Sequence, residues 1–173
     1  MRLFIAIRFD ENIMNALTDL QGRLKACDLR GNYSPPEKLH LTLAFIGEYG
    51  NPDDVMDALA SAPFEPFPLR LDGLGHFGDL YWAGIADNPP LLGYAKRLRR
   101  ALADHEIPFD RKRFSPHITL VRKAEFYGNT ALPDVLPPTG ETQVRSVSLM
   151  RSDRGKHGMI YTELGRIGDF DRQ

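Results

Sequence analysis

The chain has 173 residues, 42% of them hydrophobic and 26% charged, with 22 Lys and Arg against 23 Asp and Glu. That composition fits one globular domain and excludes a disordered, collagen-like or coiled-coil chain, while the near-neutral total gives no global pull towards nucleic acid. Cys27 is the single cysteine, which rules out an internal disulfide and a cysteine-cluster metal site, and no apolar run reaches the length of a membrane span.

Residues 2–8 open the chain as a strand, with Leu3, Ile5 and Ile7 alternating with Phe4 and Ala6. The apolar start is too short for a signal peptide, so a cytoplasmic protein is expected. Asp10 stands where an N-cap belongs, and Ile13, Leu17, Leu20 and Leu24 follow at helical spacing. This helix is expected to end near Gly31. After Pro35 and Pro36, Leu39, Leu41, Leu43 and Phe45 alternate with His40, Thr42 and Ala44 as a second strand. Pro52, Asp53 and Asp54 start a short helix carrying Val55, Met56 and Leu59. Strands are expected at 67–74 and 80–86, separated by a glycine-rich turn at 76–78. Pro89 and Pro90 start a second long helix, in which Leu91, Ala95, Leu98 and Leu102 repeat the spacing of the first. A strand follows at 117–121. Residues 124–142, rich in Pro and Gly, read as a loop, and 144–150 with 159–164 as a closing hairpin around Gly155 and Gly158.

Charge is divided along the chain. Residues 96–123 carry nine bases against three acids, whereas 48–95 carry eight acids and only Arg70 as a base. The basic segment is either a solvated helix face plus a loop or a local anion-attracting surface. In the second case Arg111, Lys112 and Arg113 would guide polynucleotide towards a site.

The sequence contains a repeat. A strand, a helix of the same apolar spacing, a proline-bearing loop and a strand opening with histidine occur twice. Ile13 precedes His40 by 27 residues and Leu91 precedes His117 by 26; the two strands read H-L-T-L (40–43) and H-I-T-L (117–120). Residues i and i+2 of a strand share a face, so each half presents an imidazole with a hydroxyl roughly 6.5–7 Å further along. Leu41, Leu43, Ile118 and Leu120 anchor the opposite faces. Across a cleft, two imidazoles and two hydroxyls would converge on one volume. Such a pair can divide acid and base roles near neutral pH, with hydroxyls holding phosphoryl oxygens. No carboxylate accompanies them at metal-ligand spacing, so neither a metal nor another cofactor is expected. A lone H-x-T is most simply a hydrogen-bonded core histidine. Two copies at equivalent places are read as catalytic, while His76, His105 and His157 are read as structural or solvated.

The paired motifs resemble those of the two-histidine (2H) phosphoesterase superfamily. R-L-F-I-A-I (2–7), L-H-L-T-L-A-F-I-G-E (39–48) and S-P-H-I-T-L-V-R (115–122) are most similar to its bacterial and archaeal RNA 2′,3′-cyclic phosphodiesterases, also called LigT-like. The resemblance runs from the first strand to about Leu164. It implies an α+β fold, a single domain over 1–173 of two pseudo-symmetric lobes, with two antiparallel sheets facing a central cleft and helices outside. It also implies metal-independent hydrolysis of a 2′,3′-cyclic phosphate on RNA or a nucleotide to a 2′-phosphate. His40 matches the proton donor, His117 the proton acceptor, Thr42 and Thr119 the phosphate-holding hydroxyls, and Arg122 a basic position after the second motif. The family's L-Y-x-S on its penultimate strand is here Leu149, Met150, Arg151 and Ser152, so an aromatic of the nucleotide pocket is expected to be missing. Phe45, Phe77 and Phe114 are candidates to stack on a base, whereas Trp82 is assigned to the core. A monomer is expected. Alternatives are 2′-5′ RNA ligation onto a 5′-hydroxyl and a nucleotide-binding module without catalysis.

Overall fold

Strand β1 (Arg2–Arg8) buries all five of its interior residues. Leu3, Ile5 and Ile7 enter the main core, while Phe4 and Ala6 face the other way, into a small cluster with Met150. The strand is therefore covered on both faces, as its nearly continuous apolar sequence requires. The computed structural model describes residues 1–128, 135 and 138–168, and over these residues nine strands, three α-helices and one 3-10 turn follow in chain order.

Helix α1 (Glu11–Ala26) is capped by the Asp10 carboxylate, which accepts from the Ile13 N–H. It buries Ile13, Leu17, Leu20, Gln21 and Leu24. The helix stops at Ala26, short of the expected end near Gly31, because Asp28 takes a left-handed φ of 64° and reverses the chain. Gly31 instead lies in β2 (Leu29–Tyr33), an edge strand on β6 (His117–Phe126). A Cβ at Gly31 would sit 2.8 Å from the Arg122 carbonyl oxygen, so only glycine permits this approach. A 3-10 turn at Pro36–Lys38 leads into β3 (His40–Glu48).

Helix α2 (Pro52–Ser61) precedes β4 (Phe67–Phe77) and β5 (Leu80–Ile85). The expected turn at 76–78 is mostly strand: His76 pairs with Tyr81 and Phe77 with Leu80, leaving the reversal to Gly78 and Asp79. Helix α3 (Pro89–Asp104) buries Leu91, Tyr94, Ala95, Leu98, Ala101 and Leu102. The stretch expected as a loop begins inside β6 and ends inside β7 (Glu141–Val144); of its middle, 129–134, 136 and 137 lie outside the described residues. Strands β8 (Ser146–Gly155) and β9 (Gly158–Gly168) form the expected hairpin.

All strand pairs are antiparallel, in the order β7-β4-β5-β6-β3-β1-β8-β9 with β2 also on β6. The path narrows to the single pair Leu41–Ile118 between β3 and β6. Two antiparallel sheets thus meet where the two H-x-T strands begin, and the fold is α+β. Among the described residues, no helix is long and apolar enough to cross a membrane.

Candidate active site

β3 and β6 run through the same burial pattern over their first five residues, half-buried at histidine and threonine and buried between them. Leu41 and Ile118, both fully buried, pin the strands together from the core side. His40, Thr42, His117 and Thr119 are thereby turned to the opposite side; of the four, His40 and Thr119 line the cleft cavity, and Thr42 and His117 do not.

Each imidazole is held in the same way. The Nδ1 of His40 lies 2.7 Å from the Lys38 carbonyl, and that of His117 lies 2.7 Å from the Ser115 carbonyl. A carbonyl only accepts, so both Nδ1 atoms carry the proton and each Nε2 is left for chemistry. The Nε2 of His40 is 2.9 Å from Thr42 Oγ1, which donates to the neutral ring and accepts from the protonated one. Burial lowers the His40 pKa, and the charges of Arg122, His117 and Arg8 lower it further, against the raising effect of the Lys38 carbonyl. His40 therefore feels both the second histidine and two guanidinium groups.

A cavity of about 490 Å³ brings together His40, Thr119, Arg122, His157 and Tyr161. It draws on both lobes, since His40 belongs to β3 and Thr119 to β6. Tyr33 forms part of its wall, its hydroxyl donating to the Leu29 carbonyl while burial pushes its pKa up to about 12.

The aromatic candidates separate. Phe77 is half exposed and stands edge-on to His117, with ring centroids 5.3 Å apart. Trp82 is at 6.3 Å from His117 and 5.3 Å from Phe77, facing the cleft rather than the core to which its sequence assigned it. Tyr81 takes the core side instead. A Cβ at Gly75 would lie 2.3 Å from the Trp82 indole, so this glycine clears the space the ring occupies. Phe45 packs with the Phe4 and Met150 cluster under the Arg2 guanidinium. Phe114 is not brought to the cleft: it packs on the main core beside Arg99 and lines a separate cavity with Arg113.

Two residues escaped the sequence reading. Tyr161 on β9 lies 5.1 Å from Phe4 and 5.6 Å from His40, so the cleft has an aromatic although β8 carries Met150. His157, read as structural or solvated, lines the cleft from the β8–β9 turn. Alternation along β9 puts Met159, Tyr161 and Glu163 on one face, which was the available signal. Of the basic segment, Arg122 reaches the cleft cavity. Arg99 is engaged with the carbonyls of Leu43 and Lys112, and Arg111 lies over Phe109. Among the described residues, no group of three His, Cys, Asp or Glu side chains is placed to hold a metal ion.

An α+β fold with two H-x-T strands abutting at one cleft defines a two-histidine phosphoesterase. The chain belongs to the 2′-5′ RNA ligase superfamily, whose sequence profile matches residues 9–156. It is 34% identical to an RNA 2′,3′-cyclic phosphodiesterase of Thermus thermophilus over 96% of this chain and 89% of that protein. A protein of the same name from Methanothermobacter thermautotrophicus is 28% identical over 95% of this chain and 96% of its own. Among solved structures, E. coli LigT complexed with 3′-AMP superposes with a TM-score of 0.80 at 27% identity, covering 96% of each chain.

Proposed function

We propose that the chain hydrolyses 2′,3′-cyclic phosphate ends of RNA to 2′-phosphates, with His117 as proton acceptor and His40 as proton donor. The observation that carries this reading is the matched anchoring of the two imidazoles, each Nδ1 on the carbonyl two residues upstream, beside the joint at Leu41 and Ile118. His117 Nε2 takes a proton from the attacking water. Water oxygen bonds to phosphorus, the bond to the 3′ oxygen breaks, and His40 Nε2 gives that oxygen its proton. Thr42 hands the His40 Nε2 over to the leaving oxygen, and Thr119 with Arg122 balances charge on the non-bridging oxygens. Phe77, Trp82 and Tyr161 offer faces to the base. The same step with a 5′-hydroxyl in place of water is ligation, which the family's name keeps as the second reading. Residues 1–173 are read as one domain of two lobes, acting as a monomer in the cytoplasm.

The test is turnover of adenosine 2′,3′-cyclic phosphate in EDTA, with the product assigned by phosphorus NMR. A 2′-phosphate formed at an undiminished rate is expected. A 3′-phosphate product would overturn the assigned leaving oxygen, and a rate lost to EDTA and restored by zinc would overturn the two-imidazole mechanism.

A further inference from the structure

Beside the catalytic cavity lies a second one of about 530 Å³, and the two-histidine chemistry does not use it. The two share a wall of Lys38, His157, Gly158, Met159 and Tyr161. The second cavity is cationic: Arg8 and Lys156 line it beyond the shared wall and Lys38 within that wall, against one acid, Glu37. These charges are poorly spent within the protein. Lys38 rests over the Tyr161 ring at 5.8 Å, and Lys156 forms no ion pair among the described residues. Arg8 approaches Glu163 only to 3.6 Å, and that carboxylate already accepts from Ser148 at 2.7 Å and meets Arg166 at 3.3 Å.

We infer that this cavity is a subsite for the phosphate on the 5′ side of the terminal nucleoside, making an oligonucleotide cyclic phosphate the preferred substrate over a nucleoside one. The inference rests on the cyclic-phosphodiesterase reading and adds to it the length of substrate recognised. The RNA end and the cleft present their parts in the same order. An RNA end runs from reacting phosphate to nucleoside to internucleotide phosphate. The protein runs from the His40 imidazole, past the apolar faces of Tyr161 and Met159, to a cluster of cations. Arginine and lysine in a concave site are the groups that hold a phosphodiester. The basic stretch at 111–113 does not line either cavity, so the path of the RNA chain lies across the β8–β9 turn instead.

The experiment compares kcat/KM on adenosine 2′,3′-cyclic phosphate, its 5′-phosphorylated form and the dinucleotide ApA ending in 2′,3′-cyclic phosphate. Wild type is expected to prefer the dinucleotide about tenfold or more over the nucleoside. Lys156 and Glu37 are exposed and line the second cavity without lining the first, so each is a clean probe. Lys156→Gln should lower the dinucleotide-to-nucleoside ratio several-fold and flatten its salt dependence, and Glu37→Gln should raise the ratio. The 5′-phosphorylated nucleoside separates sources: equal preference for it and the dinucleotide assigns the subsite to a terminal phosphomonoester and overturns the internucleotide assignment. Equal rates on the nucleoside and the dinucleotide, or a ratio untouched by both variants, overturn the subsite alone. Turnover of none of the three substrates by wild type overturns the cyclic-phosphodiesterase reading, and the subsite with it.

Discussion

Gln21 and Arg99 do the same work from opposite lobes. The Gln21 amide, on α1, donates to the Leu120 carbonyl at 2.9 Å and the Ser34 carbonyl at 2.8 Å. The Arg99 guanidinium, on α3, donates to the Leu43 carbonyl at 3.4 Å and the Lys112 carbonyl at 2.7 Å. Leu120 stands three residues after His117, and Leu43 three after His40. Gln21 precedes His40 by 19 residues and Arg99 precedes His117 by 18, so the two are equivalent in the repeat. Each helix thus ties the loop that follows it to the histidine strand of the other half of the repeat, α1 and Ser34 to β6, α3 and Lys112 to β3. The backbone repeats the pattern, Ser34 donating to Leu120 and Asp110 to Phe45.

The first prediction concerns that tie. Gln21 is buried, at 5% exposure, and its replacement by leucine leaves the Ser34 carbonyl without its amide donor. Leaving a buried polar group unsatisfied costs about 1–3 kcal/mol. Urea unfolding of Gln21→Leu should show a lower midpoint at an unchanged slope. A midpoint equal to that of wild type would mean that Gln21 does not hold the loop at Ser34 to β6.

The long periodic elements were legible in the sequence because each buries a stripe that its own spacing declares: β1, α1, β3, α3 and the start of β6. The H-x-T pair was legible for the same reason, since Leu41 and Ile118 mark the buried side and so the open one. β2 was not, because Leu29 is its one buried residue and the strand exists by lying against β6. Trp82 faced the cleft rather than the core because Gly75 on the neighbouring strand makes room for it, a cross-strand fact that spacing does not carry. Tyr161 reaches His40 from a strand that is three places away in the sheet, with β1 and β8 between β3 and β9. Local pattern identifies the faces of elements, whereas pairing decides which faces meet.

A second prediction concerns pH. His40 has a lowered pKa, caused first by burial and then by Arg122, His117 and Arg8. A folded state that resists the proton loses stability as pH falls from the unfolded value of about 6.5 through the lowered folded value. The donor form is lost in the opposite direction, as pH rises through the same folded value. Arg122→Gln removes one repelling charge and should shift the His40 resonance titration to higher pH in NMR spectra. A titration midpoint left in place by Arg122→Gln would show that Arg122 is too well screened to act on His40.

A third prediction tests the aromatic wall. Phe77 is 50% exposed, and replacing it with alanine should change stability by less than about 0.5 kcal/mol. Stacking on a base is worth about 1–3 kcal/mol, so Phe77→Ala should raise KM for an adenosine cyclic phosphate with little change in kcat. A fall in kcat at constant KM would place the ring instead as a support for His117, against which it stands edge-on.

The fourth prediction separates the two histidines. Each single alanine substitution removes one proton transfer, worth about 10²–10⁴-fold, and the double variant should lose less than the product of the two. Replacing the leaving 3′ oxygen of the substrate by a much better leaving group tests which histidine is the acid. Such a group departs with little need of a proton, so it should largely restore His40→Ala while His117→Ala stays slow. The Nε2 of His40 engages the Thr42 hydroxyl, which can donate to the neutral ring or accept from the protonated one. Restoration of His117→Ala alone would reverse the roles. Restoration of neither would make the imidazoles phosphate-binding groups, and proton transfer would then have to pass through solvent.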